Sequence, residues 1–377
     1  MRKTFVLAIA AALINTTTFA AEPHYAIIVD AGSSGSRLHL FQYEEGKTLP
    51  VINDVFSEKT SMPLASYASN PAAAGESFKK LLDDAMQKLQ TAHADPQQVA
   101  VSILGTAGMR LLPQETQDAI YSNVTSYIKN NYAFSIADIE TISGKMEGLY
   151  GWLDVNYLAK TFEQNRDVTK GSIDMGGAST QLVFSTNDTS KPDDEITFNL
   201  AGKTYTVFSK SFLGLGQDQA LAAITQSPYA AACYPHNYAY NQTNVGNFDF
   251  AGCGILYTAL ISDQHVSEAI PDTAQREFVA YSGIYYADNF FGVDTTPDQA
   301  TVGARIKTVC SKSWEQLQQD YPSVAPKYLA TYCANGAYFD KLLYETYLLK
   351  GRQLTVTTKI NQKDIDWTLG ALLYQIK

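Results

Sequence analysis

Two segments of the chain place the same chemistry in the same kind of setting. In the first, the apolar run Tyr25-Ala-Ile-Ile-Val29 leads to Asp30, and Ala31-Gly32-Ser33-Ser34-Gly35-Ser36-Arg37 follows. In the second, Ser172-Ile173 leads to Asp174, then Met175-Gly176-Gly177-Ala178 and Ser179-Thr180-Gln181, so that the aspartate recurs 144 positions on. Aspartate is a hard anionic ligand that suits a Mg²⁺ or Ca²⁺ ion keeping much of its own water. Glycine-rich turns leave N–H groups outside the strand ladder, and with serine hydroxyls these can face phosphate oxygens. A single such turn closes many ordinary hairpins. Two of them about one domain apart point to paired phosphate loops facing each other across a cleft.

The elements that must carry these residues follow from pattern. His24 to Tyr43 reads as a strand, a turn at 31–35 and a second strand, and the stretch from Gly171 to Phe184 repeats that hairpin. Between them lie a helical stretch Ser77 to Leu89, a buried strand Val99 to Leu104, a helix Pro113 to Lys129 opened by proline, and a short strand Ile139 to Ile142. Such alternation indicates an α/β fold. From Glu147 to Phe162 the apolar residues recur at helical spacing, which puts Glu147 in a helix's first turn. Past Gly202 the pattern weakens, and the Tyr-, Asn- and Gly-rich stretch from Tyr229 to Phe250 predicts a disulfide-held loop region. Asp366 is placed to cap a last helix, Trp367 to Gln375, which can return to the first domain.

Composition narrows the function. The 377 residues suffice for two domains at roughly 150 residues each. A formal net charge of −10 without any Lys/Arg cluster argues against a nucleic-acid partner. His24, His39, His93, His236 and His265 show no metal-ligand spacing and read as structural or surface residues. Arg2 and Lys3 precede the apolar stretch Phe5 to Leu13, and Thr18-Phe19-Ala20 offers a processing site, so residues 1–20 read as a signal peptide cleaved after Ala20. No other stretch approaches the length of a membrane span, and the mature protein is expected to be soluble, secreted and away from membranes. Export favours disulfides, and sequence proximity favours Cys233–Cys253 and Cys310–Cys333; four cysteines allow three pairings, and free buried thiols are the alternative.

Five segments, in order, resemble the apyrase-conserved regions of the ectonucleoside triphosphate diphosphohydrolase family. They are Asp30-Ala-Gly-Ser-Ser-Gly-Ser-Arg37, Gly105-Thr-Ala-Gly-Met-Arg110, Ser143-Gly-Lys-Met-Glu-Gly-Leu-Tyr-Gly-Trp152 continuing to Asn156, Asp174-Met-Gly-Gly-Ala-Ser-Thr-Gln181, and Asp366-Trp-Thr-Leu-Gly370. Ser211-Phe-Leu-Gly-Leu-Gly216 adds to the likeness, which is to the short, soluble, bacterial-type branch. The resemblance implies two RNase H-like domains of the actin, sugar-kinase and heat-shock-chaperone ATPase superfamily, with the active site between them. Residues 21–143 plus 355–377 would form domain I and 144–354 domain II, in a monomer.

The family further implies hydrolysis of nucleoside tri- and diphosphates to the monophosphate with Mg²⁺ or Ca²⁺. Carried over by motif, Asp30 and Asp174 hold the metal through water, and Ser33, Ser34, Gly35, Ser36 and Arg37 with Gly176, Gly177 and Ala178 cradle the phosphates. Glu147 is the general base, and Ser179 and Gln181 position the attacking water. Thr106, Ala107 and Arg110 line the phosphate path, Trp152 and Asn156 line the cleft, and Trp367 supports the site from below. Tyr347 is the expected base-stacking aromatic. The chain departs from the family pattern at Ser36, where threonine is usual, at Met146, where an acidic residue is usual, and at Gln217, where animal members often carry arginine. Two other readings share parts of this pattern. An exopolyphosphatase of the same superfamily would favour a basic tunnel, which the charge opposes; a non-catalytic actin-like nucleotide-binding protein would have no use for a water-positioning set.

Overall fold

The structure is a computed structural model that describes residues 23–44, 46, 48–163 and 168–377; the expected signal peptide and its cleavage point at Ala20 lie outside the described residues. In β1 (His24–Gly32) four consecutive apolar residues, Ala26 to Val29, are buried, as befits a strand covered on both faces. β2 (Gly35–Glu44) and β3 (Val51–Thr60) pair antiparallel on one side of it, and β4 (Ala100–Gly105) and β5 (Ser135–Thr141) parallel on the other, in the order β3-β2-β1-β4-β5. The two-residue period of β1 divides its core. Ile27 and Val29 join the cluster that includes α1 (Lys79–Thr91) and α3 (Gln114–Asn131), with the one-turn α2 (Ala107–Arg110) following β4. Ala26 and Ile28 join the cluster around α4 (Gly144–Leu158).

The second sheet repeats that scheme. β6 (Gly171–Met175), β7 (Ser179–Ser185) and β9 (Lys203–Leu213) are antiparallel, β10 (Glu277–Ala280) and β11 (Gln353–Val356) continue in parallel from β6, and β8 (Glu195–Leu200) is an added edge. Helices α5 (Gln217–Thr225), α6 (Phe250–Asp263), α7 (Val266–Ala269), α8 (Gly283–Phe291), α9 (Gln299–Cys310), α10 (Trp314–Asp320), α11 (Pro326–Leu329) and α12 (Tyr332–Phe339) fill out this lobe. The stretch before α6 is irregular, as expected from its composition, but 250–339 is largely helical, which the sequence pattern missed. α6 carries apolar residues on all sides, so it lacks the polar stripe that reveals a helix. β5 likewise starts at Ser135, earlier than its apolar residues suggest. Disulfides join Cys233 to Cys253 and Cys310 to Cys333, the local pairing.

A small hairpin, β12 (Lys359–Ile360) and β13 (Lys363–Asp364), precedes the last helix, α13 (Trp367–Ile376). α4 and α13 cross between the two sheets. On one side the Ser209 hydroxyl of β9 donates to the Lys145 carbonyl at 2.7 Å. On the other, α13 comes so near that a Cβ on Gly370 would lie 1.8 Å from the Tyr150 carbonyl oxygen, so only glycine fits there. Charge fixes the start of α13. Asp366 caps it by accepting from the Thr368 amide at 3.0 Å, while its own amide donates to Asp154 at 2.8 Å. Its other oxygen lies 3.1 Å from His39 Nε2, and His39 Nδ1 lies 2.7 Å from Asp54. His39 is buried with a carboxylate at each nitrogen, so it is an imidazolium. Burial pulls its pKa down, but Asp366 and Asp54 outweigh burial and carry it up to about 10. Among the described residues no helix is long and apolar enough to cross a membrane.

Because the folded pKa of His39 exceeds the usual 6.5, its charge stabilises the fold fully below pH 6.5, and that contribution is lost as pH rises towards about 10. His39→Gln is therefore expected to destabilise the protein by roughly 3 kcal/mol near pH 6, the range for removing one partner of a buried pair. Chemical denaturation across pH checks this: the gap between wild type and variant narrows towards pH 10.

Candidate active site

The two turns singled out in the sequence lie opposite each other. Loop one closes β1 onto β2, and Gly35 there has φ 152°, a value that strains any residue with a side chain. Loop two closes β6 onto β7 and is tied to α5. The amide of Gln217 donates to the Gly176 carbonyl at 2.9 Å, and those of Asp218 and Gln219 to Gly177 at 2.9 and 3.1 Å. The Ala178 carbonyl accepts from Gly214 at 2.8 Å. In a trans peptide the N–H points opposite to the preceding C=O, so the amides of Gly177 and Ala178 are turned away from α5. Loop two also comes close to loop one, because a Cβ on Gly177 would lie 2.9 Å from Ser33 Oγ. Behind loop one sits α2, where Gly108 approaches Ser33 and the Thr106 amide donates to the Ala31 carbonyl at 3.2 Å. Thr106, Ala107 and Ser36 are buried in that packing, Ser34 is exposed, and Arg37 points outward to Asp366 at 3.3 Å.

Asp30 and Asp174 occupy equivalent strand ends, opposite Arg37 and Gln181 in their hairpins. Both are partly exposed, yet each has its Oδ1 buried with no protein partner. Burial raises Asp30 well above the usual carboxylate range, helped by the charges of Asp366 and Glu147; burial carries Asp174 up to about 7. Two uncompensated carboxylate oxygens at the mouth of paired amide-rich loops fit a hard divalent cation. Among the described residues no group of three His, Cys, Asp or Glu is placed to hold a metal ion.

Next to the loops lies a closed polar network. The Ser143 hydroxyl caps α4 by accepting from the Met146 amide at 3.2 Å, and one residue further on Glu147 is buried in the helix's first turn. Arg110 donates to Glu147 Oε2 at 2.8 Å, to Ser179 Oγ at 3.1 Å and to the Ile142 carbonyl at 3.1 Å. Gln181 Nε2 reaches Ser179 Oγ at 2.8 Å, Ser211 Oγ at 3.0 Å and Glu147 Oε2 at 3.2 Å. Burial raises the pKa of Glu147 and Arg110 opposes the rise. A carboxylate of raised basicity beside a hydroxyl and an amide is equipped to hold a water and take its proton.

Other expected residues lie elsewhere. Trp152 and Asn156 do not line the cleft: both are fully buried, Trp152 against Phe162, Phe198 and Tyr205, and Asn156 bonded to the Trp152 and Lys170 carbonyls. They face the interior side of α4, not the gap. Trp367 is buried beside Tyr150, where it braces α13 against α4. Tyr347 cannot stack on a base from where it stands: it is 5% exposed in the second lobe's core, with Phe212 beside it. Two exposed tyrosines stand instead on helices of this lobe, Tyr286 on α8 and Tyr328 on α11, 56% and 52% exposed. The start of α8 lies against loop two, where a Cβ on Gly283 would lie 2.7 Å from Gln217 Oε1 and 3.0 Å from the Met175 carbonyl. The motif Ser211–Gly216 gives Ser211 no role by itself, and nothing in the sequence singles out these tyrosines, since exposure is invisible there.

Comparisons with known proteins bear on the family and the fold. The model of the GDA1/CD39 (nucleoside phosphatase) family matches residues 16–234 and 264–377. Probable apyrase 5 of Arabidopsis thaliana is 29% identical over 403 residues, covering 93% of this chain and 82% of that protein. Ectonucleoside triphosphate diphosphohydrolase 1 of Mus musculus is 28% identical over 411 residues, covering 93% and 80%. The crystal structure of nucleoside triphosphate hydrolases from Neospora caninum superposes with a TM-score of 0.71 at 15% identity, over 94% of this chain and 92% of that one. That likeness speaks for the fold, which is α/β with two RNase H-like lobes of the actin-like ATPase kind. With a family model spanning most of the sequence and the motif residues gathered around one gap, the chain belongs to the GDA1/CD39 family of nucleoside phosphatases.

Proposed function

We propose that the chain hydrolyses nucleoside tri- and diphosphates to the monophosphate and phosphate, by direct attack of a water that Glu147 deprotonates. The network of Glu147, Ser179 and Gln181 is the observation that carries this reading, since it provides a proton acceptor and two water-positioning groups beside paired phosphate loops. Ser33, Ser34, Gly35 and Ser36 with Gly176, Gly177 and Ala178 grip the phosphates, and Thr106 and Ala107 back the first loop. Arg110 has spent donors on Glu147, Ser179 and Ile142, so its part is to orient the base and offset the charge beside it. Asp30 and Asp174 would hold a Mg²⁺ or Ca²⁺ ion through its water, and the ion would neutralise phosphate charge. The nucleobase stacks at Tyr286 and Tyr328, with Gln217 near the place where animal relatives differ.

The chain works as a two-domain monomer, with residues 21–143 plus 355–377 and 144–354 as the halves. Two disulfides and the sequence of residues 1–20 support secretion after removal of a signal peptide.

Glu147→Gln is expected to lower turnover by about 10²-fold or more while leaving nucleotide binding in place. Chromatography over time should show ATP passing to ADP and then AMP in the wild type; wild-type-like turnover in the variant, or accumulation of adenosine, counts against the assignment. The base must be ionised to act, and burial raises its pKa, so the acid limb of kcat/KM should lie above the ordinary glutamate value. Arg110→Gln removes the charge opposing that rise and should move the limb to still higher pH, separately from any loss of amplitude. Tyr286→Ala or Tyr328→Ala should raise KM for ATP about tenfold, as for one lost stacking contact, while hydrolysis of inorganic tripolyphosphate stays unchanged.

A further inference from the structure

Loop two owes its place to the segment that follows β9. A Cβ on Gly216 would collide with the amides of Ala178 and Ser179, so the chain at 215–217 lies directly against that loop. Gly214 and Gln217 tie the two together, donating to the Ala178 and Gly176 carbonyls at 2.8 and 2.9 Å. Residues 214–216 belong to neither strand nor helix, and Leu215 is fully buried there, so its carbonyl needs a partner from elsewhere.

Helix α12 supplies it. The hydroxyl of Tyr338, itself fully buried, donates to the Leu215 carbonyl at 2.5 Å. One turn earlier, Asn335 Nδ2 donates to Gln217 Oε1 at 3.2 Å. Asn335 is 5% exposed and its Oδ1 has no protein partner, so an apolar side chain of similar size would cost less to bury. What its polarity achieves is the hold on Gln217. The helix is fixed on three sides in turn. Cys333 is bonded to Cys310 at the end of α9, and Gly336 is wedged where a Cβ would lie 2.8 Å from Phe291 and 2.9 Å from Ile306. The Tyr338 ring stacks on Tyr257 of α6 with centroids 4.6 Å apart.

We infer that Asn335 and Tyr338 are positioning residues: from a helix in the second lobe's core they fix the segment 215–217, and through it the place where loop two meets phosphate. The inference rests on the reading of loop two as a phosphate cradle. Their effect on hydrolysis passes through Leu215 and Gln217, not through contact with the substrate.

Two deletions and a matched control test this. Tyr338→Phe removes the hydroxyl alone, and Asn335→Leu removes the amide at similar volume. Tyr257→Phe, the control, deletes a buried hydroxyl that has no partner from the ring stacked on Tyr338. Hydrogen exchange on peptides spanning 214–221 is read by mass spectrometry, alongside thermal melts and the kinetics of ATP and inorganic tripolyphosphate. In the two deletions the amides of Gln217, Asp218 and Gln219 should exchange about tenfold faster, the scale of one lost hydrogen bond, while peptides from the first lobe keep wild-type rates. KM should rise about tenfold for both substrates together, whereas a lost stacking contact affects ATP alone. Tyr257→Phe should match wild type in both measurements. Wild-type exchange and KM in the folded deletions overturn the inference, and so does faster exchange across the whole chain with KM unchanged, which is a loss of stability alone. Asn335→Leu, which leaves the Leu215 bond intact, carries the test if Tyr338→Phe does not fold. If the wild type releases no phosphate from either substrate, the functional reading falls, and exchange at 217–219 still decides whether α12 holds the loop.

Discussion

Like charge confined to one gap is the condition the molecule is built around. Asp30, Asp174, Glu147 and Asp366 lie close enough that the last two raise the pKa of both aspartates. Buried carboxylates without partners are costly, so they must be held apart by a frame that cannot relax. Two buried cations offset part of the repulsion, Arg110 at Glu147 and His39 at Asp366. Asp30 has Arg37 across the ladder, but that side chain is nearly half exposed and bonded to Asp366. Asp30 and Asp174 are therefore the least compensated charges of the set.

The frame is a duplicated one. Each lobe runs three antiparallel strands and then two parallel ones, and each is followed by a helix that crosses between the sheets, α4 after β5 and α13 after β11. The duplication reaches the chemistry. Asp30 and Asp174 end equivalent strands, and the carboxylates of Glu147 and Asp366 sit at the starts of the equivalent helices. The two copies have since diverged, for Glu147 faces a hydroxyl and an amide, whereas Asp366 is bound to His39 and to its own helix. Opposite the aspartates, Gln181 belongs to the buried network around Glu147 while Arg37 turns to the surface.

Much of this was legible in sequence because it is local. Hairpins with an aspartate before glycines, Glu147 at the start of a helical apolar period, and Asp366 ahead of Trp367 are short-range patterns whose backbone meaning does not depend on the rest of the chain. What failed was non-local. Trp152 and Glu147 share a helix, but the sequence does not say which face meets the gap; Trp152 turned into the core among Phe162, Phe198 and Tyr205. Tyr347 and Tyr286 are equal as residues and differ only in burial, which the fold decides. The helices from Phe250 to Phe339 pack largely on one another, so their apolar residues carry little period to read.

The crossing of α13 over α4 has a consequence for how the protein comes into being. The face of the first sheet bearing Ala26, Ile28 and Phe41 is covered by a cluster to which Trp367, Leu369, Leu372 and Leu373 belong, so the earliest strand waits for the last helix. Asp366, which orders that helix start against His39, arrives equally late. The 10 residues of α13 therefore close the first lobe with chain that has already run through the second, so the two glycine-rich turns are held in register by a long-range contact and not by local structure alone.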